Sequence, residues 1–471
     1  MQIPIAVSDI IKKLNSAGFE GYIVGGCVRD FLLGKEPKDW DITTNAKPEE
    51  IIKIFPDGSY ENKFGTVVIH EVEVTTYRIE AKYTDKRHPD EVRFAAKLED
   101  DLARRDFTIN ALAMGAKEGK VIDLFGGQED LNNKIVRAVG DPEERFNEDA
   151  LRLLRAVRFA AELHFEIEEK TKEAIKKLSS NLKFISSERV RDEFTKIVMS
   201  EQAEWGLRLL LDLKLLSCII PELLAGVGME QPKHHIYTVF EHAVKSLGFC
   251  KSKKIEVRLA ALLHDIAKPY ARRGAGDEAT FYGHNVRGAY MSRKILYRLK
   301  YSKKVVERVA HLIRHHMFVY NIGEVTERGV RRLLRKVGPE NITDLIELRV
   351  ADRLGSGCPK AKPYKLRHLE YMLEKVSRDP ISAKMLKING NDIMKILNIK
   401  PGPKIGLLVN ALLAEVLDDP KLNEKKTLEK MVLGLAKLPD QELKAKFAVI
   451  SGEKKKEDLE IRGKHYLAEQ D

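Results

Sequence analysis

Cysteine is scarce in this chain. Its four cysteines, Cys27, Cys218, Cys250 and Cys358, lie far apart with no CxxC spacing. That excludes a disulfide framework and a cysteine-ligated zinc site, and it suits a reducing, cytoplasmic setting. Long apolar runs are missing too: nothing approaches the roughly 18 residues a membrane span requires. No charged, apolar, small-residue leader opens the chain, so no membrane partner is expected. Strand patterning is almost absent beyond about residue 137, which assigns the larger part of the chain to helices. What remains is a globular composition, 43% apolar and 32% charged, and 471 residues are too many for one core. Lys and Arg outnumber Asp and Glu by 82 to 71, a net charge of +11, which makes a polyanionic partner plausible.

One stretch organises the rest. Tyr22-Ile23-Val24 reads as a strand and Gly25-Gly26 as a turn that lets backbone approach a ligand. Arg29 stands one turn into the helix that follows, where a guanidinium can pair with phosphate oxygens. Asp39 and Asp41, two apart on an extended segment, point to one side of a sheet with no Lys or Arg between them. Two such carboxylates repel unless a cation sits there, so a phosphate clamp stands beside a divalent-metal pair. That combination suggests nucleotidyl transfer.

Taken in order, Val7, Ile10, Ile11 and Leu14 give a helix stopped at Gly18. Thr66 to Glu80 alternates apolar and polar residues as half-buried strands do, and Glu73 within it is a candidate third metal carboxylate or an ordinary solvated one. Residues 81–92 read as a polar loop, Asp101 to Met114 as the start of a helix, and Val121 to Gly127 as a strand and turn. Glu148 to Leu163 is a helix with Arg152, Arg155 and Arg158 spaced three apart, a stripe of guanidinium groups. Ser187 is the expected N-cap of a helix over Ser187 to Val198. Helices continue through residue 435, and a charged end including Lys454-Lys455-Lys456 is expected to fray.

The string GGCVRD, eight residues, then DWD closely resembles the signature of the class II tRNA nucleotidyltransferases, the CCA-adding enzymes and bacterial poly(A) polymerases. Four further blocks agree in order: Arg104 to Ala111 (RRDFTINA), Asp123 to Gly127 (DLFGG), Glu148 to Arg152 (EDALR) and Ser187 to Val190 (SERV). The resemblance implies that Asp39 and Asp41 bind two Mg2+ ions, one acidifying the RNA 3′-hydroxyl and the other steadying pyrophosphate. It implies that Gly25, Gly26 and Arg29 hold the triphosphate, and that Arg105, Asp106 and Asn110 contact triphosphate and ribose. Asp149 and Arg152 would hydrogen-bond the Watson-Crick edge of the incoming base, and Arg155 and Arg158 would add sugar or phosphate contacts. At i,i+3 the same Asp149 and Arg152 also suit an ordinary helix ion pair. Tyr83 to Pro89 looks like the intact form of a loop that is shortened in enzymes adding only the cytidines, with Asp85 and Arg87 placed to couple its closure to the switch from CTP to ATP.

His242, His264-Asp265 and Asp352 resemble the metal ligands of the HD phosphohydrolases, and Lys268 completes the HDxxK pattern. His284, His315 and His316 stand near enough in sequence to hold a second ion. Nickel, manganese, magnesium and iron all suit such ligands, phosphatase or 2′,3′-cyclic phosphodiesterase activity would follow, and a retained scaffold is the other reading. Asn389 to Gly406 resembles the tail of HD-containing bacterial members, where backbone amides would meet tRNA phosphates or simply connect helices.

The expected architecture is α+β. A nucleotidyltransferase palm with a mixed sheet covers 1–137, and an all-α neck that selects the nucleobase covers 138–205. A helical body over 206–375 contains the HD domain at about 235–355, and a helical tail over 376–471 binds tRNA. The expected reaction adds CCA to the tRNA 3′ end from CTP and ATP. An enzyme adding only CC or only A, a poly(A) polymerase, and a phosphohydrolase with an RNA-binding head are the alternatives.

Overall fold

The computed structural model describes residues 3–60, 65–81, 91–116, 119–232, 236–274, 276–318, 320–321 and 325–451. Tyr83 to Pro89 and Lys454 to Lys456 lie outside the described residues. The chain divides into two compact units, residues 1–225 with 298–301, and residues 226–297 with 302–471.

The first unit is built on strands β1 (Gly21–Val24), β2 (Asp41–Thr44), β3 (Ser59–Tyr60), β4 (Thr66–Ile69), β5 (Val72–Thr76), β6 (Arg78–Ala81), β7 (Glu91–Phe94), β8 (Leu112–Met114) and β9 (Val121–Asp123). Seven of them form one mixed sheet in the order β3-β4-β5-β2-β1-β8-β9, in which only β2 and β5 run parallel. The alternation over Thr66 to Glu80 is explained by a hairpin: Val67, Ile69, Val72 and Val74 are buried. Its two-residue turn has positive φ at His70 (48°) and Glu71 (68°), as a right-twisted hairpin demands. The pairing sets Asp41 opposite Glu73 in the parallel register.

Several expectations need correction here. Glu148 to Leu163 is not one helix: the helix Pro142–Glu148 ends at Asp149, whose backbone is extended (φ −136°, ψ 105°), and a new helix runs over Leu151–Leu163. Asp101 to Met114 is not one helix. The helix Leu98–Ala103 ends, Thr108–Asn110 makes a single 3-10 turn, and Leu112–Met114 enters the sheet as β8. Leu112, Ala113 and Met114 are all fully buried, and a short apolar run covered on both faces carries no period that separates strand from helix. The helix over Ser187–Met199 takes Ser186, not Ser187, as its N-cap. Beyond residue 137 one minimal strand also occurs among the described residues, β11 (Glu166–Ile167), which pairs in parallel with β10 (Ile135–Val136); at two residues each they are too short to pattern.

Helices Pro142–Glu148, Leu151–Leu163, Glu169–Leu178, Ser187–Met199 and Ala203–Asp212 complete the first unit. Asp141 caps the first of these by accepting hydrogen bonds from the Glu143 and Glu144 amides at 2.8 and 3.1 Å. In the helix Leu151–Leu163, Leu153, Leu154, Ala156, Val157 and Ala160 are fully buried, so its arginines are held in place by a rigid support.

The second unit is helical. Val239–Phe249, Ile255–Leu263, His284–Arg298, Lys303–His315 and Pro339–Gly355 carry the histidine motif. A separate apolar core, with Leu369, Ile393, Leu408, Leu412, Val416 and Leu428 fully buried, holds the later helices together. Pro403 opens the helix Pro403–Asp418, so the Lys400 to Pro403 segment is a helix start. Among the described residues no helix is long and apolar enough to cross a membrane.

Candidate active site and histidine cluster

Gly25 adopts φ 85° and ψ −136° at the end of β1, and a Cβ there would lie 2.8 Å from Arg105 Nη1 and 3.9 Å from Asp41 Oδ2. Only glycine serves, and its backbone is thereby brought against both Asp41 and Arg105 of the second motif. Asp41 is half-buried at the first position of β2, and Asp39 is exposed just before the strand. Burial first, then the charges of Glu73 and Asp39, push the Asp41 carboxyl up from 3.8 to about 6, against the pull of Arg105. Three carboxylates thus converge, and Glu73 belongs with the pair. The sequence leaves Glu73 open between a third metal carboxylate and a solvated one, and the strand register sets it opposite Asp41.

A carboxyl pKa raised in the fold means that ionising Asp41 weakens the folded state. Its contribution is fully present below the unfolded value of about 3.9 and is lost as pH rises through about 6. A divalent cation reverses that penalty. In a full-length Asp265→Ala protein, which removes the carboxylate common to both ligand sets of the histidine cluster, Mn2+ affinity of the head should be flat above pH 6 and fall about tenfold per unit below it. Glu73→Gln should move that break to lower pH. Calorimetric titrations from pH 5 to 8 check this, and an unmoved break would place Glu73 away from Asp41.

From the same loop a hydrogen-bonded chain runs to the helix Leu151–Leu163. Arg29 Nη1 donates to Asn110 Oδ1 at 2.7 Å, Asn110 Nδ2 donates to Asp106 Oδ1 at 3.1 Å, and Arg155 Nε donates to Asp106 Oδ2 at 2.7 Å. Burial would raise the Asp106 pKa, but Arg155 and Asn110 hold it down at about 2, so it stays a carboxylate. The guanidiniums of Arg29, Arg155 and Arg158 all lie over the Phe159 ring, 5.2, 5.3 and 4.0 Å from its centroid. Arg105 and Arg104 share the buried Asp101 at 3.2 and 2.7 Å.

The arginine stripe is divided among different carboxylates. Arg152 bonds Glu148 Oε2 at 2.7 Å and the Arg104 carbonyl at 2.9 Å, Arg155 takes Asp106, and Arg158 pairs with Glu193 at 2.8 Å. Asp149 is gripped by Arg189 Nη2 at 2.7 Å. This contact gives Arg189 of the fifth motif a task, holding Asp149. The third motif is structural here: Asp123 accepts from the Gly127 and Gln128 amides at 2.8 Å each. A Cβ on Gly127 would meet the Thr108 carbonyl oxygen at 2.3 Å.

In the second unit, four imidazoles and two carboxylates converge. His242 Nε2 lies 2.9 Å from His264 Nε2, 3.3 Å from Asp265 Oδ2 and 3.4 Å from Asp352 Oδ1. Burial opposes charging His242, yet the carboxylates of Asp265 and Asp352 raise its pKa to about 9, a preference for positive charge that a metal ion satisfies as well as a proton. Burial keeps His284 neutral and takes His316 down to about 3. Lys268 bonds Asp265 Oδ2 at 2.7 Å and Gln231 Oε1 at 2.6 Å. His315 is not in the cluster; its ring packs against His311, 4.6 Å between centroids.

Residues 21–137 match the poly A polymerase head domain family, 164–226 the probable RNA and SrmB-binding site of polymerase A, and 234–356 the HD domain. A CCA-adding enzyme of Leuconostoc mesenteroides is 33% identical over 432 residues, 90% of this chain and 95% of that protein. The chain belongs to the CCA-adding enzymes. The CCA-adding enzyme of Lactobacillus helveticus is 49% identical over 216 residues, a match that spans 45% of this chain and 54% of that protein. The crystal structure of the Bacillus stearothermophilus CCA-adding enzyme in complex with CTP is similar over 92% of this chain and 97% of that one, with a TM-score of 0.71 and 28% identity. CCA-adding enzymes are nucleotidyltransferases, and the α+β head followed by helices and an HD domain is the expected architecture.

Proposed function

We propose that this CCA-adding enzyme extends the tRNA 3′ end with two cytidylates and an adenylate from CTP and ATP, choosing each base with side chains in place of a nucleic-acid template. The observation that carries the reading is the chain Arg29–Asn110–Asp106–Arg155, which ties the phosphate loop to the helix of the fourth motif beside three converging carboxylates. Asp39, Asp41 and Glu73 would hold two Mg2+ ions, and the raised Asp41 pKa fits a site that seeks positive charge. Such ions, when bound, make the 3′-hydroxyl easier to deprotonate and offset the charge of leaving pyrophosphate.

The chain's own residues position the rest. Gly25 and Gly26 bring backbone against the triphosphate, Arg29 and Arg105 supply its counter-charge, and Asp106 with Asn110 meets the ribose. The 3′-oxygen attacks the α-phosphorus, its proton leaves to solvent, and the bond to pyrophosphate breaks. Asp149 offers acceptors and Arg152 donors to the base edge, each held by its own partner, Arg189 and Glu148. Arg155 and Arg158 add sugar or phosphate contacts. Residues 1–137 serve as palm, 138–205 as base-selecting neck, 206–375 as body and 376–471 as tail. Basic residues of the helical part grip the tRNA acceptor arm through phosphates, with salt-sensitive affinity.

The histidine cluster supports a second activity. His242, His264, Asp265 and Asp352 would hold a divalent metal such as Ni2+, Mn2+ or Mg2+ and act on phosphate esters, 2′,3′-cyclic phosphates among them. The deciding experiment supplies purified protein with tRNA lacking CCA and with CTP and ATP singly or together. Two cytidines from CTP alone and a terminal adenosine when both are present are expected. CC or A alone would mark a partial enzyme, a long adenosine tail a poly(A) polymerase, and no incorporation a phosphohydrolase.

A further inference from the structure

One buried carboxylate beside the head site has no task in the reaction as proposed. Asp101 is 0% exposed and sits in the last turn of the helix Leu98–Ala103. Its Oδ1 accepts from Arg104 Nη2 at 2.7 Å and Nε at 3.0 Å, and its Oδ2 accepts from Arg105 Nη2 at 3.2 Å. Thr43 Oγ1 lies 3.3 Å from the same Oδ2. Burial would raise the Asp101 pKa, but Arg105 and Arg104 hold it below the usual carboxylate value, so it stays charged.

Thr43 and Asp41 stand two apart on β2, so their side chains leave the same face of the strand. Arg105 therefore stands between two carboxylates, Asp101 beside Thr43 and Asp41 beside Gly25. Its Nη2 holds Asp101, while its Nη1 lies 2.8 Å from where a Cβ on Gly25 would be, and Asp41 Oδ2 lies 3.9 Å from that same point. Among the described residues Asp101 is the one carboxylate with which Arg105 makes an ion pair. A guanidinium this close to an ionised Asp41 would otherwise take it as a charge-assisted partner. The backbone under Arg105 is fixed separately: its own amide donates to the Leu102 carbonyl at 3.2 Å, and the Ala103 and Arg104 carbonyls accept from Arg145 at 3.2 Å and Arg152 at 2.9 Å. What the Asp101 carboxylate decides is the direction of the Arg105 side chain. Arg105 Nε, buried without a hydrogen-bond partner, is a donor spent on neither carboxylate.

We propose that Asp101 is a positioning residue that holds Arg105 off the cation-binding carboxylates and keeps its fork available to the triphosphate. This rests on the reading of Arg105 as a triphosphate contact and adds the group that aims it. Without the Asp101 charge the guanidinium turns to Asp41, occupies the carboxylate that a cation needs, and withdraws from the nucleotide.

The probes are Mn2+ alone and CTP alone, on the full-length chain carrying Asp265→Ala so that the histidine cluster does not compete for the metal. By calorimetry, Asp101→Asn should weaken Mn2+ binding by about tenfold, the effect of one opposite charge arriving at contact distance from a carboxylate. Adding Arg105→Gln to Asp101→Asn should restore the affinity to within about threefold of the parent, whereas Arg105→Gln alone should change it by less than about threefold. No loss in Asp101→Asn would overturn the proposal. So would a gain from Arg105→Gln by the same factor in both backgrounds, which would make Asp101 a distant charge or a structural support. A gain of about tenfold from Arg105→Gln alone would show the guanidinium already pressing on Asp41 and would overturn it too, whatever becomes of the folding of Asp101→Asn. CTP affinity without metal should fall about tenfold in Arg105→Gln. An unchanged value there would overturn the triphosphate reading of Arg105 and the proposal with it, while the failures seen with Mn2+ leave that reading standing.

Discussion

Asp41→Ala is expected to cut nucleotide incorporation into tRNA by about a thousandfold or more, with tRNA affinity almost unchanged. The reasoning starts from position. Asp41 is the carboxylate that the sheet buries, placed against Gly25 and Arg105 and opposite Glu73, whereas Asp39 stands exposed before the strand. In the proposed reading, removing it takes away the metal ligand that lies against the glycine loop. Binding of tRNA draws on phosphate contacts elsewhere, so a filter-binding isotherm should hardly move. The fold provides an internal check. Asp41 ionises only near pH 6, so at pH 7 it burdens the metal-free head, and the alanine variant should melt no lower than the parent. An inactive variant that melts lower would have lost its structure, and retained incorporation would remove Asp41 from the metal site.

Arg152→Ala should fall chiefly on base choice. A good bidentate contact to a base edge is worth about 1–3 kcal/mol of discrimination, so the preference for CTP and ATP over UTP and GTP should shrink by about 10- to 100-fold. Triphosphate affinity should change by less than about threefold, because the proposed reading assigns that load to Arg29 and Arg105. Single-turnover incorporation with each of the four nucleotides measures both quantities. Glu148→Gln should produce a smaller loss of the same kind, since Glu148 orients Arg152 without itself offering the base donors. Equal losses for all four nucleotides would make Arg152 a charge contact and nothing more.

Much of this was legible in the sequence because it depends on local order. The glycine loop and the aspartate pair each sit at fixed offsets along one or two elements, whereas His242, His264-Asp265 and Asp352 are spread over three helices and are legible by their resemblance to the HD pattern; the structure brings them together. What was hidden depends on pairing between distant elements. The β2–β5 register is what sets Glu73 opposite Asp41, and the fold is what gives Arg155 its partner Asp106, 49 residues earlier in the chain. Arg189 likewise shows its use only against Asp149, 40 residues away. The helix expected from Asp101 failed for a different reason: a three-residue buried strand carries too little pattern to announce itself. The likeness of the arginine stripe to a single charged face was also too simple, because packing assigns each guanidinium a separate carboxylate.

The central claim is that a cation site and a side-chain base reader face one nucleotide. The most direct test is a crystal structure with a non-hydrolysable CTP analogue and Mg2+. The account predicts triphosphate oxygens and metal at Asp39 and Asp41, with the cytosine edge within hydrogen-bond reach, about 3 Å, of Asp149 and Arg152. A triphosphate seated on the aspartates with its base turned away from that helix would contradict it.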